Sequence, residues 1–232
     1  MEMARLRWLG HATFVLEIAG WRIVIDPWIT NPVSPYRSLD AFVKEYPELD
    51  LIIVTHDHGD HVGDSVEILK RYPKAKIAAL YELANHIAKE SGAPDRAIPA
   101  NIGGPVKLNG LEIVFTPAHH SSTIGDPSGV VVLGEGKAVY HAGDTGLLAE
   151  MQLIGELYRP AVALLPIGGH FTMGIREAAK AVELLKPKYV VPMHYGTFDV
   201  IKADPNEFAK LVRERVPETQ VIILKPGEYL EF

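Results

Sequence analysis

The chain has 232 residues, 47% of them apolar, a formal net charge of −6 and no cysteine. That length and apolar content suit one domain over residues 1–232 with a sizeable core. The missing cysteine excludes disulfides and thiolate ligands, gives secretion no support, and leaves nitrogen and oxygen as the only donors for a metal.

The acidic balance lacks the electrostatic footprint of a phosphate-backbone binder. No apolar run approaches the ~20 residues of a membrane span, and no basic stretch followed by an apolar core opens the chain, so a cytoplasmic protein is expected. Strand-like runs begin at 6–9, 13–18 and 21–26; His11 lies between the first two, and Asp26 ends the third. From the residues alone, His11 can border a pocket or be a buried, hydrogen-bonded histidine.

A strand at 51–55 then opens into Thr55-His56-Asp57-His58-Gly59-Asp60-His61, seven residues carrying three imidazoles and two carboxylates. On an extended or tightly turning segment, residues two apart point the same way, so His56 and His58 can share one metal ion. Gly59 frees the backbone to turn and present Asp60 and His61 as a second pair of ligands. Two neighbouring ions are therefore expected. Asp57 alternates away and is not read as a ligand. Imidazole with carboxylate suits zinc first, with manganese, iron or nickel as alternatives.

Helices are expected at 64–71 and 81–91 around a strand at 76–80. A strand at 111–116 runs into Thr116-Pro117-Ala118-His119-His120-Ser121-Ser122, where either histidine could bind, although neighbours on an extended segment face opposite ways. Strands at 129–133 and 137–141 lead to Tyr140-His141-Ala142-Gly143-Asp144-Thr145, which alone reads as a Gly-Asp turn. After a helix at 147–157 and a strand at 161–165 comes a glycine-rich loop containing His170. That side chain could bind substrate, serve as general acid for the leaving group, or cap the loop. A helix at 174–186 has apolar residues at three-to-four spacing and stops before Pro187. A strand at 188–193 then runs into His194, followed by a helix at 205–215 and a strand at 221–224. Strands interspersed with helices argue for an α/β (α+β) fold with helices outside the sheets. No internal repeat is legible.

His56-x-His58-x-Asp60-His61 after an apolar strand resembles the HxHxDH signature of the metallo-β-lactamase superfamily. That family requires, in order, a further histidine, an aspartate after a later strand and a final histidine. The chain offers candidates for all three. The resemblance runs from His11 to the carboxyl end and implies a four-layer αββα sandwich of two similar halves, with two divalent metal ions at one edge between the sheets. It implies His120 as a ligand, from the His-Ser-Ser form of small metal-dependent hydrolases in the superfamily; His119, facing the opposite way, is then expected to support the ligands or line the pocket wall. By the same resemblance one ion takes His56, His58 and His120, the other takes Asp60, His61 and His194, and Asp144 bridges them. His11 resembles the Gly-His-[Ala/Ser] segment of this subgroup, and Asp26 the acidic residue that supports the metal-binding loop. Losing such a support weakens metal binding without removing a ligand.

What the resemblance implies chemically is hydrolysis by a metal-activated hydroxide, with the pKa of bound water lowered from 15.7 toward ~7. Asp60 would orient that hydroxide or move its proton. Two dications, two carboxylates and a hydroxide leave a net charge of plus one, which favours anionic substrates or transition states. The expected partner is a small-molecule phosphodiester, ester or lactone. The phosphodiester leads because the Gly-His-Ala-Thr, His-x-His-x-Asp-His and Leu-Pro-Ile-Gly segments resemble the branch holding N-acyl-phosphatidylethanolamine phospholipase D and the ascorbate-phosphate lactonases. Only fifty positions separate Asp144 from His194, too few for the inserted domain of β-CASP nucleases, so nucleic acid is disfavoured. The alternatives are a nuclease and a catalytically silent metal-dependent binding protein. Superfamily members of this size often self-associate, which adds a homo-oligomer to the expected partners.

Overall fold

The computed structural model describes residues 3–232. The chain first lays down β1 (Arg5–Trp8), β2 (Phe14–Ile18), β3 (Trp21–Ile25), β4 (Leu51–Ile53), β5 (Lys76–Leu80) and β6 (Ala97–Ala100). A second series follows: β7 (Pro105–Leu108), β8 (Leu111–Pro117), β9 (Ser128–Gly134), β10 (Lys137–His141), β11 (Val162–Pro166), β12 (Tyr189–Met193) and β13 (Gln220–Val221). The last strand, β14 (Tyr229–Glu231), returns to pair with β1. The strand orders are β14-β1-β2-β3-β4-β5-β6 and β13-β12-β11-β10-β9-β8-β7.

The two sheets are built alike. In the first, β14 to β3 are antiparallel neighbours and β3 to β6 parallel ones. In the second, β7 to β10 are antiparallel and β10 to β13 parallel. Each half also has a tight hairpin of two left-handed residues, Ala19-Gly20 and Glu135-Gly136, the backbone twist that two-residue loops favour.

Side-chain alternation along the strands sorts the core into three layers. Phe14, Leu16, Ile23, Leu51 and Ile53 meet Phe115, Val130, Val132 and Val191 between the sheets. Val15 and Ile52 point to the opposite face of the first sheet, against Phe42, Ile68, Leu69 and Leu83. These come from α1 (Leu39–Glu45), α3 (Ser65–Arg71) and α4 (Tyr81–Glu90), with the short α2 (Gly59–Val62) lying just before α3. On the outer face of the second sheet, α5 (Met151–Tyr158), α6 (Ile175–Leu185) and α7 (Pro205–Arg215) cover Val131, Ala163 and Leu165. The result is helix, sheet, sheet, helix. Among the described residues, no helix is long and apolar enough to cross a membrane.

Several boundaries differ from those expected. The strand expected over 51–55 stops at Ile53, because the Thr55 N–H turns to the Asp26 carboxylate at 2.8 Å. The helix expected from 147 starts at Met151; the Gly146 N–H donates to His119 and the Thr145 carbonyl accepts from Met173, which commits that stretch to the neighbouring loops. The strand expected at 221–224 is reduced to Gln220–Val221. The sequence reading contained none of β6, β7, β14, α1 and α2.

Candidate metal centre

Every candidate ligand follows a strand, and most leave at the carboxyl ends of strands in the parallel parts of the two sheets, where open α/β sheets gather their binding groups. β4 leads to His56, His58, Asp60 and His61, β8 to His120, β10 to Asp144 and β12 to His194. His11 sits in the turn between β1 and β2, and Asp26 directly follows β3. His11, Asp26 and His194 all have left-handed backbones, with φ of 54°, 47° and 54°. Non-glycine residues rarely adopt that conformation, and it persists only where the surroundings fix it.

Two groups of ligand atoms result, one of His56, His58, His120 and Asp144 and the other of His11, Asp60, His61 and His194. In the first, His58 Nδ1 lies 3.1 Å from His56 Nε2 and 3.2 Å from His120 Nε2. Asp144 Oδ2 is 3.4 Å from His120 Nε2 and 3.9 Å from His56 Nε2. Asp144 also reaches the second group, with Oδ1 3.2 Å from His61 Nε2 and Oδ2 3.0 Å from His194 Nε2. Asp60 Oδ2 is 3.8 Å from both of those nitrogens. Two ligands on one tetrahedral ion, each at about 2.1 Å, stand about 3.4 Å apart. The spacing therefore suits shared cations, with Asp144 between the two groups.

Neighbouring side chains set the imidazole tautomers. Asp26 is fully buried and accepts from Thr55 Oγ1 at 2.7 Å and from His61 Nδ1 at 2.7 Å. Because Thr55 spends its proton on Asp26, its oxygen accepts from His56 Nδ1 at 3.0 Å. Both rings are thus held with Nε2 toward the cluster, as outer groups hold metal-binding histidines. Burial brings the His56 imidazole down to about 3 and the His11 imidazole to about 4, and lowers His120 as well. These rings are neutral near pH 7 and keep a lone pair. Burial opposes charge on His61, but Asp144 and Asp26 outweigh it and hold that imidazole well above its usual value. Burial likewise opposes ionisation of Asp144, yet the charges of His61 and His194 keep it well below the carboxylate range.

Four buried atoms in this cluster have no hydrogen-bond partner: His61 Nε2, Asp144 Oδ1 and both nitrogens of His194. Unpaired buried polar atoms are costly and uncommon. Here His61 Nε2, Asp144 Oδ1 and His194 Nε2 converge, and the donor set of imidazoles and carboxylates is the one that divalent zinc, manganese, iron or nickel takes. The residues fit such ions.

Of the histidine pair, the structure brings His120 into the cluster. His119 is exposed, and its backbone N–H is tied to Thr145 Oγ1 at 3.0 Å. Replacing His119 by alanine is expected to leave the metal content unchanged, whereas His120→Ala lowers it; plasma mass spectrometry on the two variants would show the reverse if the assignment were inverted. Asp57 faces away, as the alternation implied, and accepts from Ser122 Oγ and the backbone N–H groups of Thr123 and Ile124. It thereby fastens the loop carrying His120. His170 is not brought to the cluster. Its ring is exposed and meets Phe171 edge-on at 4.4 Å, and among the described residues no hydrogen bond or ion pair joins it to a candidate ligand.

Sequence reasoning named His11 without fixing its role, and it missed two further supports, Thr197 and His141. His11 is closer to the centre than a pocket wall: Nε2 lies 2.8 Å from Asp60 Oδ2, and its carbonyl accepts from the His194 N–H at 3.0 Å. Thr197 Oγ1 holds His11 Nδ1 at 2.9 Å. His141, buried and lowered by that burial, donates from Nε2 to the Ala12 carbonyl and accepts the Gly143 N–H at Nδ1. It fixes the turn that delivers Asp144. Only its place within the Tyr-His-Ala-Gly-Asp segment signalled it.

Two facing sheets with this cluster at their parallel strand ends define the metallo-β-lactamase fold, and residues 21–195 match the family model described as Beta-lactamase superfamily domain. The chain belongs to that superfamily and, within it, to the UPF0173 metal-dependent hydrolase family. It is 54% identical over 234 residues to the member from Hyperthermus butylicus, covering 99% of this chain and 100% of the relative. With the member from Thermofilum pendens the identity is 56% over 235 residues, covering 99% and 100%. Among solved structures, Igni18, a metallo hydrolase from the hyperthermophilic archaeon Ignicoccus hospitalis, superposes with a TM-score of 0.93 at 49% identity, covering 100% of this chain and 99% of that one.

Proposed function

We propose that this protein is a binuclear metal-dependent hydrolase acting on a small, anionic phosphodiester, ester or lactone as a single catalytic domain. The observation that carries this reading is the convergence of partnerless buried donors on His61, Asp144 and His194, with Asp144 within reach of both ligand groups. His56, His58 and His120 would hold one ion, Asp60, His61 and His194 the other, and Asp144 both. Zinc is the first choice, then manganese, iron or nickel. Bound there, the ions supply Lewis acidity at the oxygen under attack and lower the pKa of a water toward neutrality.

The chain's own groups do the rest. Asp26 and Thr55 lock His56 and His61 in the tautomers that present Nε2. Burial works against an ionised Asp60, but the hydrogen bond from His11 and the charge of His61 outweigh it and hold this carboxyl well below its usual range. Held ionised and fixed through Oδ2 by His11, Asp60 would orient the attacking water or help move its proton. No step is assigned to His170. A phosphodiester leads among the substrates, in keeping with the resemblance to the phospholipase D and ascorbate-phosphate lactonase branch.

The test is metal content per chain by plasma mass spectrometry, paired with hydrolysis of bis(p-nitrophenyl) phosphate and of a chromogenic ester. Two metals are expected, with turnover abolished by a chelator and restored by divalent metal. One metal or none, with no turnover after reconstitution, would make the protein a metal-dependent binder instead.

A further inference from the structure

The two sides of the metal centre differ in what they present to solvent. Beside His58 and His120 the surroundings are polar: His119 and Ser121 are exposed, and Ser121 Oγ lies 3.5 Å from His58 Nε2. Beside Asp60 and His194 they are aromatic. Phe198 stacks on Trp28 with ring centroids 5.9 Å apart and planes 25° from parallel. Both rings stand edge-on to His11, Phe198 at 5.6 Å and Trp28 at 5.4 Å, and His11 in turn touches Asp60.

The fold enforces this exposed ring. Phe198 lies four residues beyond His194 on a loop that is closed by a hydrogen bond from the Gly196 N–H to the Ile201 carbonyl and another from the Ile201 N–H to the Phe198 carbonyl. Ile201 is fully buried and anchors the loop, while Phe198 stays 41% exposed and Val200 55% exposed. Thr197, between them and His194, is tied to His11. Apolar surface held at a fixed position beside a reactive centre is placed to take the apolar part of a ligand. The neighbouring charges are already matched, since Lys202 pairs with Asp199 at 2.7 Å.

We propose that Phe198 and Trp28 form a subsite for a flat, uncharged group next to the scissile bond, which makes aryl esters and aryl phosphodiesters the substrate class of this centre. The proposal rests on the hydrolytic reading of the histidine cluster. Pre-set aromatic faces favour a second ring through offset or edge-on contact as well as through area removed from water, and a loop held at both ends loses little freedom when the ligand arrives.

The experiment is calorimetric titration of the metal-loaded protein with phenylphosphonate and with methylphosphonate, which share an anionic head and differ in the apolar group. Phenylphosphonate is expected to bind about tenfold more tightly. That ratio falls toward one in Phe198→Ala and persists in Phe198→Tyr, which keeps the ring. Equal affinities in the native protein, or an unchanged ratio in Phe198→Ala, would overturn the subsite. Failure of both phosphonates to bind a protein holding two metals is a different result, and it would overturn the hydrolytic reading along with the subsite.

Discussion

Asp144→Asn is expected to leave one metal per chain instead of two and to lower kcat/KM by about a thousandfold, roughly 4 kcal/mol at 1.36 kcal/mol per factor of ten. Asparagine keeps the shape of the side chain and removes its charge. At this position the carboxylate faces His61 at 3.2 Å, His194 at 3.0 Å and His120 at 3.4 Å. Its carboxylate lies against imidazoles of both ligand groups, so one neutral amide cannot replace it: an amide offers a single acceptor oxygen, and its NH₂ would be turned toward an imidazole lone pair or a cation. The ion-to-ion repulsion that a bridging carboxylate offsets would then go uncompensated, and the several kcal/mol that metal charge contributes to a hydrolytic transition state would be lost with the second ion. Plasma mass spectrometry and steady-state kinetics on one preparation decide the matter. Two metals per chain with a rate within tenfold of native would remove Asp144 from the bridge.

The part of this centre legible in the sequence is the part whose geometry is local. His56, His58, Asp60 and His61 fall within six positions, so strand alternation and one glycine turn are enough to gather them. His120, Asp144 and His194 each follow a strand and are weak signals alone, so their order, and for His120 the His-Ser-Ser form, singles them out only through the family resemblance. His11 was legible as a candidate, but its contact with Thr197 was beyond that reach, because their meeting depends on the turn after β1 touching the loop after β12, 186 positions apart.

The same distinction runs through the fold. Strands with continuous apolar runs, such as Leu51–Ile53 and Val162–Pro166, could be read directly. β6 contains Pro99, which reads as a breaker but is tolerated on an edge strand. β14 takes its meaning from β1 at the far end of the chain. The likeness of the two halves was illegible for a related reason: it lies in strand direction and hairpin placement, which many unrelated apolar sequences can satisfy.

Gly143→Ala should destabilise the protein by at least about 3 kcal/mol and lower its metal content as well. Gly143 has φ of +62°, and a Cβ there would lie 2.3 Å from the Ser128 carbonyl oxygen and 3.2 Å from Thr55 Cβ. The left-handed backbone accounts for only ~1–2 kcal/mol of the effect; the remainder is steric and has no cheap relief. Ser128 is held from the other side, its N–H and Oγ both donating to the Thr55 carbonyl at 3.1 and 2.8 Å. Making room therefore means parting the second sheet from the loop that begins the His56–His61 run, while also straining the Gly143 N–H bond to His141 and moving Asp144, the next residue. Gly136 supplies the comparison. Its φ is +76°, but an added Cβ meets nothing within 4 Å, so Gly136→Ala carries the conformational penalty alone. Urea unfolding of the two variants separates the effects. A Gly143→Ala protein no less stable than Gly136→Ala, with both metals retained, would mean that the close approach of Ser128 and Thr55 does not set the position of Asp144.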